Sequence, residues 1–91
     1  MARLERIFGS RRQTKLLEFL LQNPGKVFNQ AGLARFLACS PSTVARVIRP
    51  LIGEGILAYE QVSGQMKIIA LNTESEKVKL LLKFYEEYRR L

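Results

Sequence analysis

Ser42, Arg46 and Arg49 follow one another at the three- and four-residue steps that line one side of a helix, with Thr43 flanking them and Ser40 just ahead. A guanidinium is a planar fork of donors. It grips two acceptors at once, either two phosphate oxygens or O6 and N7 of a guanine. Short hydroxyls reach phosphates or base edges without filling the space between. This is the chemistry of recognition rather than of bond making. The chain has no histidine and one cysteine, no glycine-rich phosphate loop and no paired-carboxylate arrangement. Those features argue against an enzyme, and no metal or other cofactor is expected. Glu86 and Glu87 fall on a charged helix face, and Cys39, between apolar neighbours, reads as a small buried side chain.

A helix over residues 41–54 would position these groups. Val44, Val47, Ile48, Leu51 and Ile52 recur at the steps of a buried stripe, which leaves Ser42, Arg46, Arg49 and Gly53 opposite them. Ser40 is a good N-cap and Pro41 suits the first helical position. Pro50 removes the bond to the Arg46 carbonyl at a cost of about 3 kcal/mol, which predicts a weak or kinked second half. Gly55 suits a left-handed position past the end. Ahead of this helix, Asn29 caps a shorter one with Leu33, Ala34 and Leu37 inward and Phe36 at the edge. Two short helices around a tight turn make a helix-turn-helix, the second being the reading helix. Any surface helix buries one face and solvates the other, so this pair alone leaves nucleic-acid reading and simple solvation open.

Charge adds a second observation. The chain of 91 residues carries a formal net charge of +7, and all of the excess lies in residues 1–49, with nine bases against two acids. Residues 50–91 hold six of each. A basic half that coincides with the helix pair favours a polyanionic partner. At 47% hydrophobic and 25% charged the chain reads as one ordinary globular domain, without a membrane-length apolar run or a signal-peptide pattern, so a cytoplasmic, nucleoid-associated location is expected.

Along the rest of the chain, residues 1–8 form a short turn of helix or a frayed arm, and Gly9 breaks it. Ser10 is the expected N-cap of a helix over residues 11–22, which Asn23, Pro24 and Gly25 stop. Arg11, Arg12 and Lys15 lie in its first turns, where the helix dipole disfavours cations unless an anion docks there. Residues 26–28 read as a single edge strand. Residues 56–62 and 65–71 flank Ser63-Gly64 as a hairpin. Pairing Val62 with Gln65 places Leu57, Tyr59, Met66, Ile68 and Ala70 on one face and Glu60 opposite Lys67 on the other.

A capping box at residues 73–76, with Thr73 as N-cap, opens a last helix over 73–91. Its apolar arc is too wide for one small domain. Val78, Leu81, Leu82 and Tyr85 form one stripe, Leu80, Phe84 and Leu91 another, with Tyr88 between them. One stripe packs on the domain. The other needs a second chain or the folded-back residues 1–8. The dimerisation residues expected on this helix are Leu80, Leu81, Phe84, Tyr85, Tyr88 and Leu91.

Helix, strand, helix, turn, helix, hairpin, helix is the order of a winged helix-turn-helix domain. The expected fold is α+β, mainly α: a three-helix core, a short strand and hairpin wing, and an extra C-terminal helix, all in one domain over residues 1–91. Residues 8–91 also resemble the small winged-helix transcriptional regulators common in archaea, which are related to the ArsR and MarR regulators. The likeness rests on FGSRRQTKLLEFLLQNPGKVF, LARFLACSPSTVARVIRPLIGEGIL and LNTESEKVKLLLKFYEEY, with S-x-S-T-V-x-R-V-I the most specific part. It implies double-stranded DNA as partner, usually with a homodimer, and the third helix in the major groove. Ser40, Ser42, Thr43, Arg46 and Arg49 would then face DNA. Three departures stand out: Ala38 where a glycine is usual, Pro50 inside the helix, and a nearly uncharged wing tip with only Lys67.

The resulting expectation is a sequence-specific, homodimeric transcription regulator without membrane association or an evident small-molecule effector. Phosphate contacts would come from Arg11, Arg12, Lys15, Lys26 and Arg49, with Lys67 adding little. Base reading would come from Arg46, Ser42 and Thr43. Two rival readings remain: an assembly module, suited by the wide apolar arcs, and an architectural DNA-coating protein, suited by the weak wing.

Overall fold

The apolar spacings of three helices converge on one core, and a small antiparallel sheet closes it. The computed structural model describes residues 4–9, 11–64 and 66–91. The elements are α1 (Glu5–Phe8), α2 (Arg12–Leu21), β1 (Val27–Asn29), α3 (Gln30–Leu37), α4 (Pro41–Gly53), β2 (Leu57–Ser63), β3 (Met66–Leu71) and α5 (Glu76–Arg89). Leu16 and Leu20 of α2, Leu33 of α3, and Val44 and Ile48 of α4 fill the centre, none more than 1% exposed. Burying each such side chain contributes about 1.5–3 kcal/mol, and truncating Ile48 to alanine would cost about 2–5 kcal/mol. The three strands lie in the order β1-β3-β2, so β1 is the edge strand expected from residues 26–28. Ile69, Leu71 and Leu57 turn into the core, as do Val78 and Tyr85 of α5.

Local signals explain the helix ends. The Asn29 side chain accepts from the Gly32 amide at 2.6 Å, and the Ser40 hydroxyl accepts from the Thr43 amide at 3.2 Å, as their residue types predict. At the end of α4 the Gly55 amide donates to Ile52 O and the Ile56 amide to Leu51 O, with Gly55 at φ +74. The same pair of bonds closes α3, from Ala38 to Arg35 O and from Cys39 to Ala34 O. These are Schellman motifs. Ala38 keeps the left-handed conformation usual for glycine there, at φ 55 and ψ 49, so the turn is strained in its residue rather than altered in its geometry. Pro50 lies inside α4, and the helix continues through it to Gly53.

Several expectations need correction. The hairpin pairs Leu57 with Leu71, Tyr59 with Ile69 and Gln61 with Lys67, one residue out of the expected register. An irregularity between Gln61 and Ser63 takes up the extra residue, and Ser63 pairs with Met66. A slip of one reverses the faces. Ile69 and Leu71 are therefore buried, Met66 is exposed, and Lys67 opposes Gln61 instead of Glu60. The expected pairing partner Gln65 lies outside the described residues, as does Ser10; α2 starts one residue later than expected, with Arg11 in the N-cap position and no side-chain cap. The last helix opens at Ser75, not Thr73, again without a side-chain cap bond. Asn72 Oδ1 accepts instead from the Glu74 amide, forming a turn in front of the helix.

Candidate nucleic-acid interface

The inner side of α4 is committed to the core, which forces its remaining residues outward. Val44, Ile48 and Leu51 are buried and Val47 and Ile52 are packed against them. Ser40, Ser42, Arg46 and Arg49 are exposed, and Thr43 is half-buried between them. The hydroxyls are organised by short bonds. Ser40 Oγ lies 3.0 Å from both Ser42 Oγ and Thr43 Oγ1, and Arg46 Nη2 donates to Thr43 Oγ1 at 3.4 Å. The start of the helix is tied down from α3, where Gln30 Nε2 donates to the Pro41 carbonyl at 2.8 Å. The first turn of α4 is thus braced by its cap and by a neighbouring helix, while the guanidinium of Arg46 rests on its own helix surface.

The remaining bases expected at a polyanion also lie at the surface. Arg11, Arg12, Lys15, Lys26 and Arg49 are exposed, and Lys67 is half-buried. Lys67 and Met66 of β3 share a depression with Asn29, Gln30, Ala31 and Pro41, which brings the turn end of the wing beside the start of α4. The ion pairs among the described residues are Lys77–Glu54, Lys79–Glu76, Arg89–Glu86 and Arg90–Glu86. None involves Arg11, Arg12, Lys15, Lys26, Arg46, Arg49 or Lys67. These seven bases thus stand outside the ion pairs of the described residues, six of them exposed.

The residues expected to dimerise divide between two sides of α5. Tyr85 is 2% exposed and belongs to the domain's own core, with Val78, so it is withdrawn from an outward face. Leu81 is packed against the same core. Leu80 and Phe84 are exposed, Leu91 almost wholly so, and Tyr88 stacks on Phe84 with ring centroids 5.6 Å apart. Ile7 and Phe8 of α1 are themselves exposed, so the described part of the N-terminal segment does not cover this stripe.

Sequence reasoning missed Glu18. It is 3% exposed and receives the Leu4 amide on Oε1 at 3.1 Å and the Tyr85 hydroxyl on Oε2 at 2.6 Å. The signal available was its place inside the apolar run Leu16, Leu17, Phe19, Leu20, Leu21. Among the described residues no group of three metal-ligating side chains comes together, and no helix is long and apolar enough to cross a membrane.

No family model matches the chain, and no curated protein matches it. Solved structures do. A possible transcriptional regulator from Methanosarcina mazei Go1 superposes with a TM-score of 0.66 at 18% identity, over 89% of this chain and 71% of that one. MepR, a transcription regulator of the Staphylococcus aureus multidrug efflux pump MepA, gives 0.64 at 22% identity, over 96% and 65%. RV1404 from Mycobacterium tuberculosis gives 0.64 at 22%, over 97% and 60%. The chain thus spans less than two thirds of the last two. At these identities the likeness speaks for the fold, and the element order agrees with it: this is a winged helix-turn-helix domain with an added C-terminal helix.

Proposed function

We propose that the protein binds double-stranded DNA as a homodimeric, sequence-specific transcription regulator, with α4 in the major groove and no enzymatic step. The observation that carries this reading is the outward side of α4. Ser40, Ser42, Thr43, Arg46 and Arg49 form a strip of hydroxyls and exposed guanidinium groups, outside the described ion pairs, on a helix whose other side is locked in the core. Arg46 reads a base edge, and Ser42 and Thr43 read thymine methyls or acceptors beside it. Arg11, Arg12, Lys15, Lys26 and Arg49 neutralise phosphates, and Lys67 approaches the backbone from the wing. Two copies joined through Leu80, Phe84, Tyr88 and Leu91 would place two reading helices on a near-palindrome, about 34 Å apart. The setting is the cytoplasm, on the nucleoid.

One feature favours a second reading, an architectural protein of low sequence preference. The wing carries a single base, Lys67, which is half-buried. Fluorescence titration of random and selected duplexes at two salt concentrations separates the two. Neutralising about five phosphates gives a log–log salt slope near −4 to −5, with a selected duplex clearly preferred. Equal affinity for both duplexes with the same slope would establish the coating reading. Affinity indifferent to salt would remove DNA as the partner.

A further inference from the structure

Away from α4, three phenylalanine rings from three elements meet at the surface. Phe19 of α2 stacks on Phe36 of α3 with centroids 4.2 Å apart, and Phe28 of β1 tilts against Phe19 at 5.0 Å. Phe19 and Phe28 are half-buried, while Phe36 is 48% exposed, so one face of its ring is backed and the rest is open. Each ring has an exposed base near it in the chain: Lys15 one turn before Phe19, Lys26 two residues before Phe28, and Arg35 beside Phe36. None of the three bases joins an ion pair among the described residues. The one acid within residues 11–49, Glu18, is buried against Leu4 and Tyr85.

We propose that the Phe19–Phe28–Phe36 cluster, with the exposed Lys15, Lys26 and Arg35 close to its rings in the chain, docks an acidic segment of a partner protein that carries a large apolar side chain, in competition with DNA for Lys15 and Lys26. The apolar nucleus accounts for affinity, because an exposed ring with half-buried rings behind it gains most from a side chain that covers it. The three bases account for the sign of the partner, since exposed cations outside the described ion pairs attract carboxylates and repel basic segments. A single-stranded nucleic acid has the same charge but needs successive open platforms for successive bases. Here only Phe36 is widely open, and Phe19 already occupies one of its faces.

The test uses the full chain and a fluorescein-labelled peptide of about a dozen residues, with aspartate and glutamate interleaved with leucine and one phenylalanine. Binding is expected at a Kd on the order of tens of micromolar. Arg35→Glu should weaken it about tenfold and Arg35→Lys should preserve it. Phe36→Ser should weaken it by a similar factor, and NMR shifts on peptide addition should concentrate on the three rings. Arg35 is exposed, so its variants carry the test even if Phe36→Ser lowers stability. Absence of peptide binding, or equal binding of a peptide with lysines in place of the acids, overturns the proposal. So does an oligothymidylate that binds more tightly than the peptide and responds to Arg35→Glu, which would assign the patch to single strands.

Discussion

Tyr85 Oη donates a 2.6 Å hydrogen bond to Glu18 Oε2, joining the last helix to the first long one across 67 residues of sequence. The Tyr85 hydroxyl oxygen in turn accepts from Gln22 Nε2 at 2.9 Å, and Glu18 Oε1 accepts from the Leu4 amide. A buried carboxylate needs such donors, because leaving it without them costs far more than the bonds return. The network therefore ties α1 and α5 to α2 with a directional link that apolar packing lacks.

Tyr85→Phe should lower stability by about 1.5–3 kcal/mol, the range for a hydrogen bond to a charged group, as read by denaturant or thermal unfolding. Burial, and then the bond to Glu18, hold the Tyr85 phenol above its usual 10.0. The unfolded chain consequently loses this proton first as pH rises, and stability falls. The contribution is complete below about pH 10 and disappears as pH climbs toward the folded-state value. Unfolding curves on either side of about pH 10 should show this decline, and Tyr85→Phe should lessen it. A decline of the same size in that variant would assign it to other groups.

Ala38→Gly should stabilise the domain by about 0.5–1 kcal/mol. The left-handed conformation costs an alanine about 1–2 kcal/mol, and the greater freedom of glycine in the unfolded chain returns part of that. Calorimetry would measure the gain. An unchanged or lowered melting temperature would mean that the turn carries no strain.

Arg46→Ala should cost about 1–3 kcal/mol on a preferred duplex and relax preference at one base pair. Arg12→Ala should weaken all duplexes alike and flatten the salt slope by about 1. Identical profiles for the two variants would remove base reading from Arg46.

Leu80→Glu combined with Phe84→Glu should give a folded monomer with much weaker duplex binding. Both side chains are exposed within one chain, so intrinsic stability should move by no more than about 0.5 kcal/mol per site. Sedimentation of wild type and variant would decide. A wild-type protein that stays monomeric with and without DNA ends the dimer proposal.

Much of the frame was legible in residue spacing. The stripe of Val44, Ile48 and Leu51 has one helical solution, and Asn29, Ser40 and Gly55 mark ends through bonds made within a few residues. The outward place of Arg46 and Arg49 follows from the same stripe, because a helix that buries one side must present the other. Helix ends without a strong signal were less legible. Three candidate caps, Thr73, Ser75 and Asn72, compete within a few residues before α5, and local preference does not rank them.

What the sequence by itself determined, then, is the set of contacts made by near neighbours: the caps of α3 and α4, helical faces, the hairpin as an element and the basic half. Tertiary structure alone decided the rest. The wing's register depends on which of two alternating faces meets the core, and the irregularity at Gln61–Ser63 brings Ile69 and Leu71 inward. Of the two stripes of α5, the one with Val78 and Tyr85 packs on the core, where Glu18 of α2 receives the phenol. Periodicity cannot distinguish such cases, since it records that a side chain is apolar but not which distant group will satisfy its polar atom or cover its face.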